Sequence, residues 1–282
     1  MSGSVDIGSR RVGDESPTFV IAEIGINHGG DVAVAERMIR EAAAAGVDGV
    51  KLQTYRTEAR VPADSPIFDV LKQAELDAEA HRRLRSVADD VDVLFISTPF
   101  DAESVELLSE LDVPAYKIAS FDIVNLELIA RVAREQRPVF VSRGMADLDE
   151  SDAAVELLSS HGARPVLLHC VSAYPLEQAD ANLAVIRTLR ARYDCPVGYS
   201  DHTLGVEVAP LAVAVGASVI EKHFTLDRSA PGPDHALSAD PAQMKQLIEL
   251  VRHVESVLGS DQPGRFAAEE DTAVYRRPTA GA

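Results

Sequence analysis

FVIAEIGINHGGDVAVAERMIREAAAAGVDGVKLQTY, residues 19–55, is one complete strand–helix–strand unit. FVIAEIG (19–25) is a short apolar run of strand length. NHGGD then supplies a turn, residues 32–45 are an Ala-rich helix ended by Gly46, and GVKLQTY (49–55) begins a second strand. Outward from this unit the same kind of run recurs at LFISTPF (94–100), AYKIAS (115–120), PVFVSRG (138–144), PVLLHCV (165–171), VGYSDHT (197–203) and VIEKHFT (219–225). Successive starts lie 21 to 45 residues apart, room each time for a helix and two loops. Eight such alternations predict an α/β fold, a parallel sheet closed into a (β/α)8 TIM barrel.

Three regions follow. Residues 1–18 read as a hairpin, turned at Gly13–Asp14, that caps the bottom of the barrel. Residues 19–258 are the catalytic barrel, and 259–282 are a tail or linker without apolar period. The longest irregular stretch, 56–74, follows the second strand on the rim side, where long loops often act as lids. The last helix opens with Asp240 as N-cap and Pro241 in its first turn, and repeats Met244, Leu247, Ile248, Val251, Val254 and Leu258 at helical spacing.

Composition excludes several classes. The net charge of −18 argues against a nucleic-acid partner, which needs a basic face. No run approaches the roughly 18 apolar residues of a membrane span, the start lacks a signal-peptide core, and Cys170 and Cys195 suggest no disulfide framework, so a cytoplasmic enzyme is expected. Five lysines against 22 arginines on a carboxylate-rich chain fit a high-salt cytoplasm, or an ordinary acidic protein.

In a barrel of this kind the C-terminal ends of the strands carry the chemistry. Those ends hold Glu23, Lys51, Gln53, Thr98, Lys117, Ser120, Ser142, His169, Ser200, His202 and His223. His202 and His223 close the last two strands, which lie about 4.8 Å apart, so their imidazoles are placed to share one divalent ion or to hydrogen-bond within the rim. His169 reads as a core or supporting residue, and His81, His161 and His253 as structural or solvated. Lys51, Lys117, Thr98, Ser120, Ser142 and Ser200 form a belt of cations and hydroxyls suited to a phosphate plus a carboxylate, although each serine alone also fits strand-end hydrogen bonding. Neither a Walker-type loop nor a dinucleotide fingerprint occurs. Glu23 is placed to shuttle a proton or to pair with Lys51 on the next strand. Lys222, a third strand lysine, is read as facing an anion or serving as an amine nucleophile. Asp234 and His235 lie on a rim loop after the last strand, and Asp201 points differently from His202.

AEIGINHGG, KLQTY, STPF, YKIAS, HCxxxYP, GYSDHT, EKHFT and GPDHxxS together resemble the sialic acid synthase family, from about residue 5 to about residue 258. The resemblance implies condensation of phosphoenolpyruvate with an N-acetylated hexosamine, giving a nonulosonic acid and phosphate. It makes His202 and His223 ligands of Mn2+ (or Mg2+ or Co2+). It puts phosphoenolpyruvate on Lys51, Thr98, Lys117, Ser120, Ser142 and Ser200, and the sugar or the reacting centre on Glu23, Gln53, Ser172, Tyr174 and Asp234. It also implies a homodimer.

Three departures stand out. Ser172 occupies the place of a common Asn, which leaves the acceptor open between N-acetylmannosamine and legionaminic-, pseudaminic- or spore-coat-type sugars. Arg143 replaces a usual Thr and is expected to add a cation beside the belt. The family continues into an antifreeze-like C-terminal domain whose arginine reaches a partner's site; this chain is expected to lack that domain and to replace its arginine, with Arg143 or Arg228 as candidates. Two other functions stay open on the same barrel: a Schiff-base aldolase or lyase using Lys117 or Lys222, and an inactive paralogue that binds an acidic sugar.

Overall fold

The computed structural model describes residues 3–260 and 262–277. The chain opens with an antiparallel hairpin of β1 (Val5–Ile7) and β2 (Arg10–Val12). Its turn is at Gly8–Ser9, with Gly8 at φ 55°, and not at Gly13–Asp14, which follows the second strand. The two-residue turn is the tighter connection and leaves Val5, Ile7 and Val12 on one buried face.

Eight parallel strands then close on themselves: β3 (Phe19–Gly25), β4 (Gly49–Thr54), β5 (Leu94–Pro99), β6 (Tyr116–Ile118), β7 (Pro138–Ser142), β8 (Arg164–Cys170), β9 (Val197–Asp201) and β10 (Val219–His223). β10 pairs with both β9 and β3, so no edge remains open. The intervening helices are α1 (Val32–Ala45), α2 (Thr57–Arg60), α3 (Phe68–Ala74), α4 (Ala78–Asp90), α5 (Ala102–Glu110), α6 (Leu126–Ala133), α7 (Leu148–Ser160), α8 (Val185–Arg192), α9 (Val208–Ala214) and α10 (Pro241–Leu258). Caps explain several boundaries. Asp31 accepts from the amides of Ala33 and Val34 at the start of α1, and Asp240 caps α10 ahead of Pro241. The stretch 56–74 is not wholly irregular, since it contains α2 and α3; each is too short to show a period in sequence. Among the described residues no helix is long and apolar enough to cross a membrane.

Strand alternation sorts the core into two shells. Val20, Ala22, Val50, Leu52, Phe95, Tyr116, Val139, Val141, Leu167 and Ile220 join the core between sheet and helices. Phe19, Ile21, Ile96, Ala115, Phe140, Val166, Leu168 and Val219 fill the barrel itself, and Val5, Ile7 and Val12 of the hairpin pack onto them. Full burial of each such side chain stabilises by about 1.5–3 kcal/mol, so the hairpin is anchored by three plugs at the bottom of the barrel. The interior is tight enough that a Cβ on Gly198 would lie 2.6 Å from Val219 Cβ and 2.7 Å from Leu168 Cδ2. One layer higher the inward positions turn polar, and a site begins there.

Candidate active site

Two residues above each apolar layer, the same inward phase presents Glu23, Lys51, Thr98, Lys117, Ser142, Ser200 and Glu221. Glu23, Lys51, Lys117 and Glu221 are each 4 % exposed or less, a depth at which a charge must be paired. Lys51 Nζ lies 3.0 Å from Glu23 Oε2 and 3.3 Å from Glu221 Oε2, and Lys117 Nζ donates to Glu221 Oε1 at 3.0 Å. Ser200 Oγ donates to the same Glu221 oxygen at 2.8 Å.

The charge states follow from position in this network. Burial pushes the Glu23 carboxyl up, and the Lys51 ammonium only partly counters it, so the net direction is up. Burial acts the same way on Glu221, but two ammonium groups overcome it and hold that carboxyl low. Burial works against the Lys51 charge, yet Glu221 and Glu23 raise its pKa overall. For Lys117 burial wins and the pKa falls, with Glu221 as the counterweight. Glu23 is therefore the member of the cluster most ready to carry a transferable proton.

A cavity of about 490 Å³ opens above this network. Its wall brings together Glu23, Lys51, Gln53, Thr98, Lys117, Ser120, Ser142, Tyr174, His202, His223 and Asp234, residues drawn from most of the barrel's strands. Ser200 is not on the wall; it lies against Glu221 and orients that carboxylate. Ser172 is also off the wall, packed beside Gly144 with Cys170 Sγ 3.9 Å from its hydroxyl. A direct sugar contact from Ser172 is thus not what the structure presents.

His202 and His223 face one another with ring centroids 5.4 Å apart, under the ring of Tyr174 at 4.2 and 6.2 Å. His202 Nδ1 is 3.0 Å from the Val171 carbonyl, to which it donates, and this leaves Nε2 as the ring's acceptor. Burial, followed by the neighbouring His202, keeps His223 neutral well below the usual histidine range. Its Nδ1 is buried without a hydrogen-bond partner, and Asp234 Oδ2 stands 3.8 Å away. Burial also opposes charge on His202, but Cys170 and the Val171 carbonyl outweigh it and raise its pKa. Two imidazoles with an orphaned nitrogen fit a divalent cation of intermediate softness. Among the described residues no third His, Cys, Asp or Glu groups with them as a ligand set, so bound water and substrate oxygen would complete the shell.

Other expectations are revised. Lys222 does not face the cavity: with His223 and Glu221 inward, alternation turns it outward. There its ammonium donates to Asp201 Oδ2 at 2.9 Å and to the Thr203 carbonyl, and lysine and aspartate alike are inaccessible to solvent. Asp201 Oδ1 in turn accepts from the Thr203 amide and hydroxyl, which fixes the turn leaving His202. Of the two candidate amine nucleophiles, Lys117 is the one on the cavity wall, held as half of an ion pair. Arg143 also turns away, donating to the Ala146 carbonyl and Ser151 Oγ, because the start of α7 offers it acceptors. Arg228 donates to the Ala236 carbonyl on the surface. His169 is a core residue, its Nε2 on the Ala181 carbonyl at 2.8 Å.

Two site residues escaped the sequence reading. Glu221 was legible in principle, since it stands two residues before inward His223 and shares its parity. Arg60 was not: it lies on α2 of the rim loop, and only the folded loop brings it to the wall.

A family model described as the NeuB family matches residues 38–263. The chain is 44% identical to an uncharacterized protein of Methanocaldococcus jannaschii, an alignment covering 97% of this chain and 81% of that one. It is 39% identical to the N,N'-diacetyllegionaminic acid synthase of Legionella pneumophila, over 90% of this chain and 77% of the relative. A crystal structure of N-acetylneuraminic acid synthetase from Leptospira borgpetersenii, in complex with citrate, superposes with a TM-score of 0.95 at 39% identity, covering 98% of this chain and 97% of that one.

Proposed function

The chain belongs to the NeuB family, the sialic acid synthases, and from that premise we propose that it condenses phosphoenolpyruvate with an N-acetylated hexosamine to give a nonulosonic acid and phosphate. The observation that carries this reading is one cavity holding both the facing imidazoles of His202 and His223 and the Lys51–Glu221–Lys117 cluster.

Phosphoenolpyruvate would bind low, against the polar layer. Lys51 and Lys117 supply charge, and the Thr98 hydroxyl lies 3.3 Å from Lys51 Nζ. Ser142 Oγ, buried without a partner, is a hydroxyl free to meet a phosphate oxygen. Ser120 Oγ accepts from the Gly144 amide at 3.1 Å and donates to Cys170 Sγ at 3.4 Å, a weak bond that a phosphate oxygen would replace. Ser200 serves indirectly, by fixing Glu221. The acceptor would lie above, between Gln53, Tyr174 and Asp234.

His202 and His223 would hold a divalent ion, Mn2+ first, which when bound polarises the open-chain aldehyde. The residues do the rest. The lysine floor and the hydroxyls hold the enol beside the aldehyde, and that positioning supplies much of the acceleration. C3 of phosphoenolpyruvate bonds to the aldehyde carbon, and Glu23 gives its proton to the new alkoxide. Water adds to the cationic C2, and phosphate leaves with the bridging oxygen as the C–O bond breaks. Glu23 then recovers one proton from the added water and the departing phosphate takes the other as the C2 ketone forms, balancing the cycle.

The test is phosphate release from phosphoenolpyruvate with Mn2+, against a panel of N-acetylated hexosamines. Phosphoenolpyruvate labelled with ¹⁸O at the bridging position should deliver the label to phosphate. Label retained in the sugar acid, or no release with any acceptor, would overturn the reading. A Schiff-base route through Lys117 would instead be trapped by borohydride with pyruvate.

A further inference from the structure

The cavity's cations are not equivalent. Lys51 and Lys117 at the floor are already bonded to carboxyl groups, Lys51 to Glu23 and Glu221 and Lys117 to Glu221. Arg60, on the wall above them, makes no ion pair among the described residues. One face of its guanidinium lies over the Phe100 ring at 3.6 Å, with the Tyr55 ring at 4.7 Å. Among the described residues a single N–H is used, by Nη1 donating to Gln53 Oε1 at 2.8 Å. A guanidinium carries five N–H donors in a rigid fork and accepts nothing. Its remaining donors thus lack a protein acceptor in a half-buried place, and such groups normally find one.

Height decides which substrate would supply it. Gln53 points inward two residues above Lys51 on β4, roughly 6–7 Å higher along the strand. Arg60 is bonded to that upper layer and not to the phosphate-binding floor. Gln53 also passes the connection on, its Nε2 donating to Glu23 Oε1 at 3.3 Å. The stacking on Phe100 fixes the plane of the fork, so the donors meet a ligand oxygen with little loss of side-chain freedom.

We infer that Arg60 is an acceptor-binding and specificity-determining residue, whose free N–H donors take the carbonyl oxygen of the acylamido group on the hexosamine. This rests on the condensation proposed above and deepens it. Arg60 is thereby the residue that separates N-acylated acceptors from the parent hexoses, while the donor's affinity is set by the floor.

The experiment compares wild type with Arg60→Met and Arg60→Lys. The readouts are steady-state kinetics with an N-acetylated hexosamine and its non-acylated parent, and calorimetric binding of phosphoenolpyruvate alone. Losing a charge-assisted hydrogen bond in the acceptor layer should raise the acceptor KM about 10- to 100-fold in Arg60→Met. Preference for the acylated sugar should fall by a similar factor. Phosphoenolpyruvate affinity should stay within about twofold, which also shows that the variant is folded. Arg60→Lys should recover little, because an ammonium neither stacks as a plane nor offers a fork. Unchanged acceptor KM and preference in Arg60→Met, or a loss confined to phosphoenolpyruvate, overturns the inference with the condensation left standing. Failure of wild type to turn over any acceptor overturns both.

Discussion

Replacing Glu221 with Gln isolates the electrostatics of the cavity floor. The substitution keeps the side chain's volume and an oxygen for Ser200, which donates to it at 2.8 Å, but removes the negative charge shared by two lysines. Lys51 keeps a partner, since Glu23 lies 3.0 Å away. Lys117 does not: its ion pair is with Glu221 alone among the described residues, and it is 3 % exposed. Breaking a buried pair by deleting one member costs about 3–5 kcal/mol, because the survivor's charge is left uncompensated. For a domain of this size each kcal/mol moves Tm by roughly 2 °C. The variant without ligand should therefore melt about 6–10 °C lower. Phosphoenolpyruvate reverses the sign: its carboxylate and phosphate bring the negative charge that Lys117 has lost. The variant should bind it more tightly than wild type and regain more of its Tm on saturation. Circular dichroism melts with and without phosphoenolpyruvate, paired with calorimetric Kd, give both quantities. A Tm loss under about 2 °C, or weaker donor binding, would falsify the view that Glu221 neutralises the floor until the donor arrives.

Three further outcomes are expected. His202→Ala and His223→Ala should each abolish turnover and weaken Mn2+ binding by calorimetry while the circular dichroism spectrum is unchanged; full rates of both in metal-free buffer would end the metal role. Lys222→Met leaves Asp201 buried and unpaired and should cost about 3–5 kcal/mol, whereas Asp201→Asn/Lys222→Met removes both charges, keeps an acceptor for Thr203 and should recover most of that loss; denaturant unfolding decides, and a double variant no better than the single refutes the pairing. His28 is buried, and burial, then His81 nearby, lowers its pKa from the usual 6.5 to about 4. The unfolded chain then binds a proton between those values that the native state refuses, so stability is full above about pH 6.5 and declines as pH falls toward about 4, by roughly 3 kcal/mol from this residue. Tm measured across that window should fall less steeply in His28→Asn, and an equal slope rejects the assignment.

Much of this was legible from the chain. Eight apolar runs at spacings that admit one helix each leave few topologies, and the strands lie within a residue or two of those runs because inward and outward faces are both buried and cannot slip register. The strand-end residues converge for the same reason: parity and rim position are properties of sequence spacing. Parity could also have distinguished inward Glu221 from outward Lys222, but residue type suggested the reverse, since an ammonium draws the eye as a reactive group.

Arg143 follows an inward serine, so alternation turns it outward, and the Ala146 carbonyl past the strand end holds it there. The rim loops obeyed no such rule. Arg60 reaches the cavity through a loop shaped by distant contacts, among them Tyr55 Oη on the Leu71 carbonyl at 2.9 Å and Glu75 accepting from the Thr57 amide and hydroxyl. Strand periodicity is local and is written residue by residue, so sequence alone determined the barrel, its layers and the main polar ring. The charge state of Glu23, the pairing that silences Lys222 and the arrival of Arg60 depend on distances between residues far apart in the chain. Only the closed barrel sets those distances.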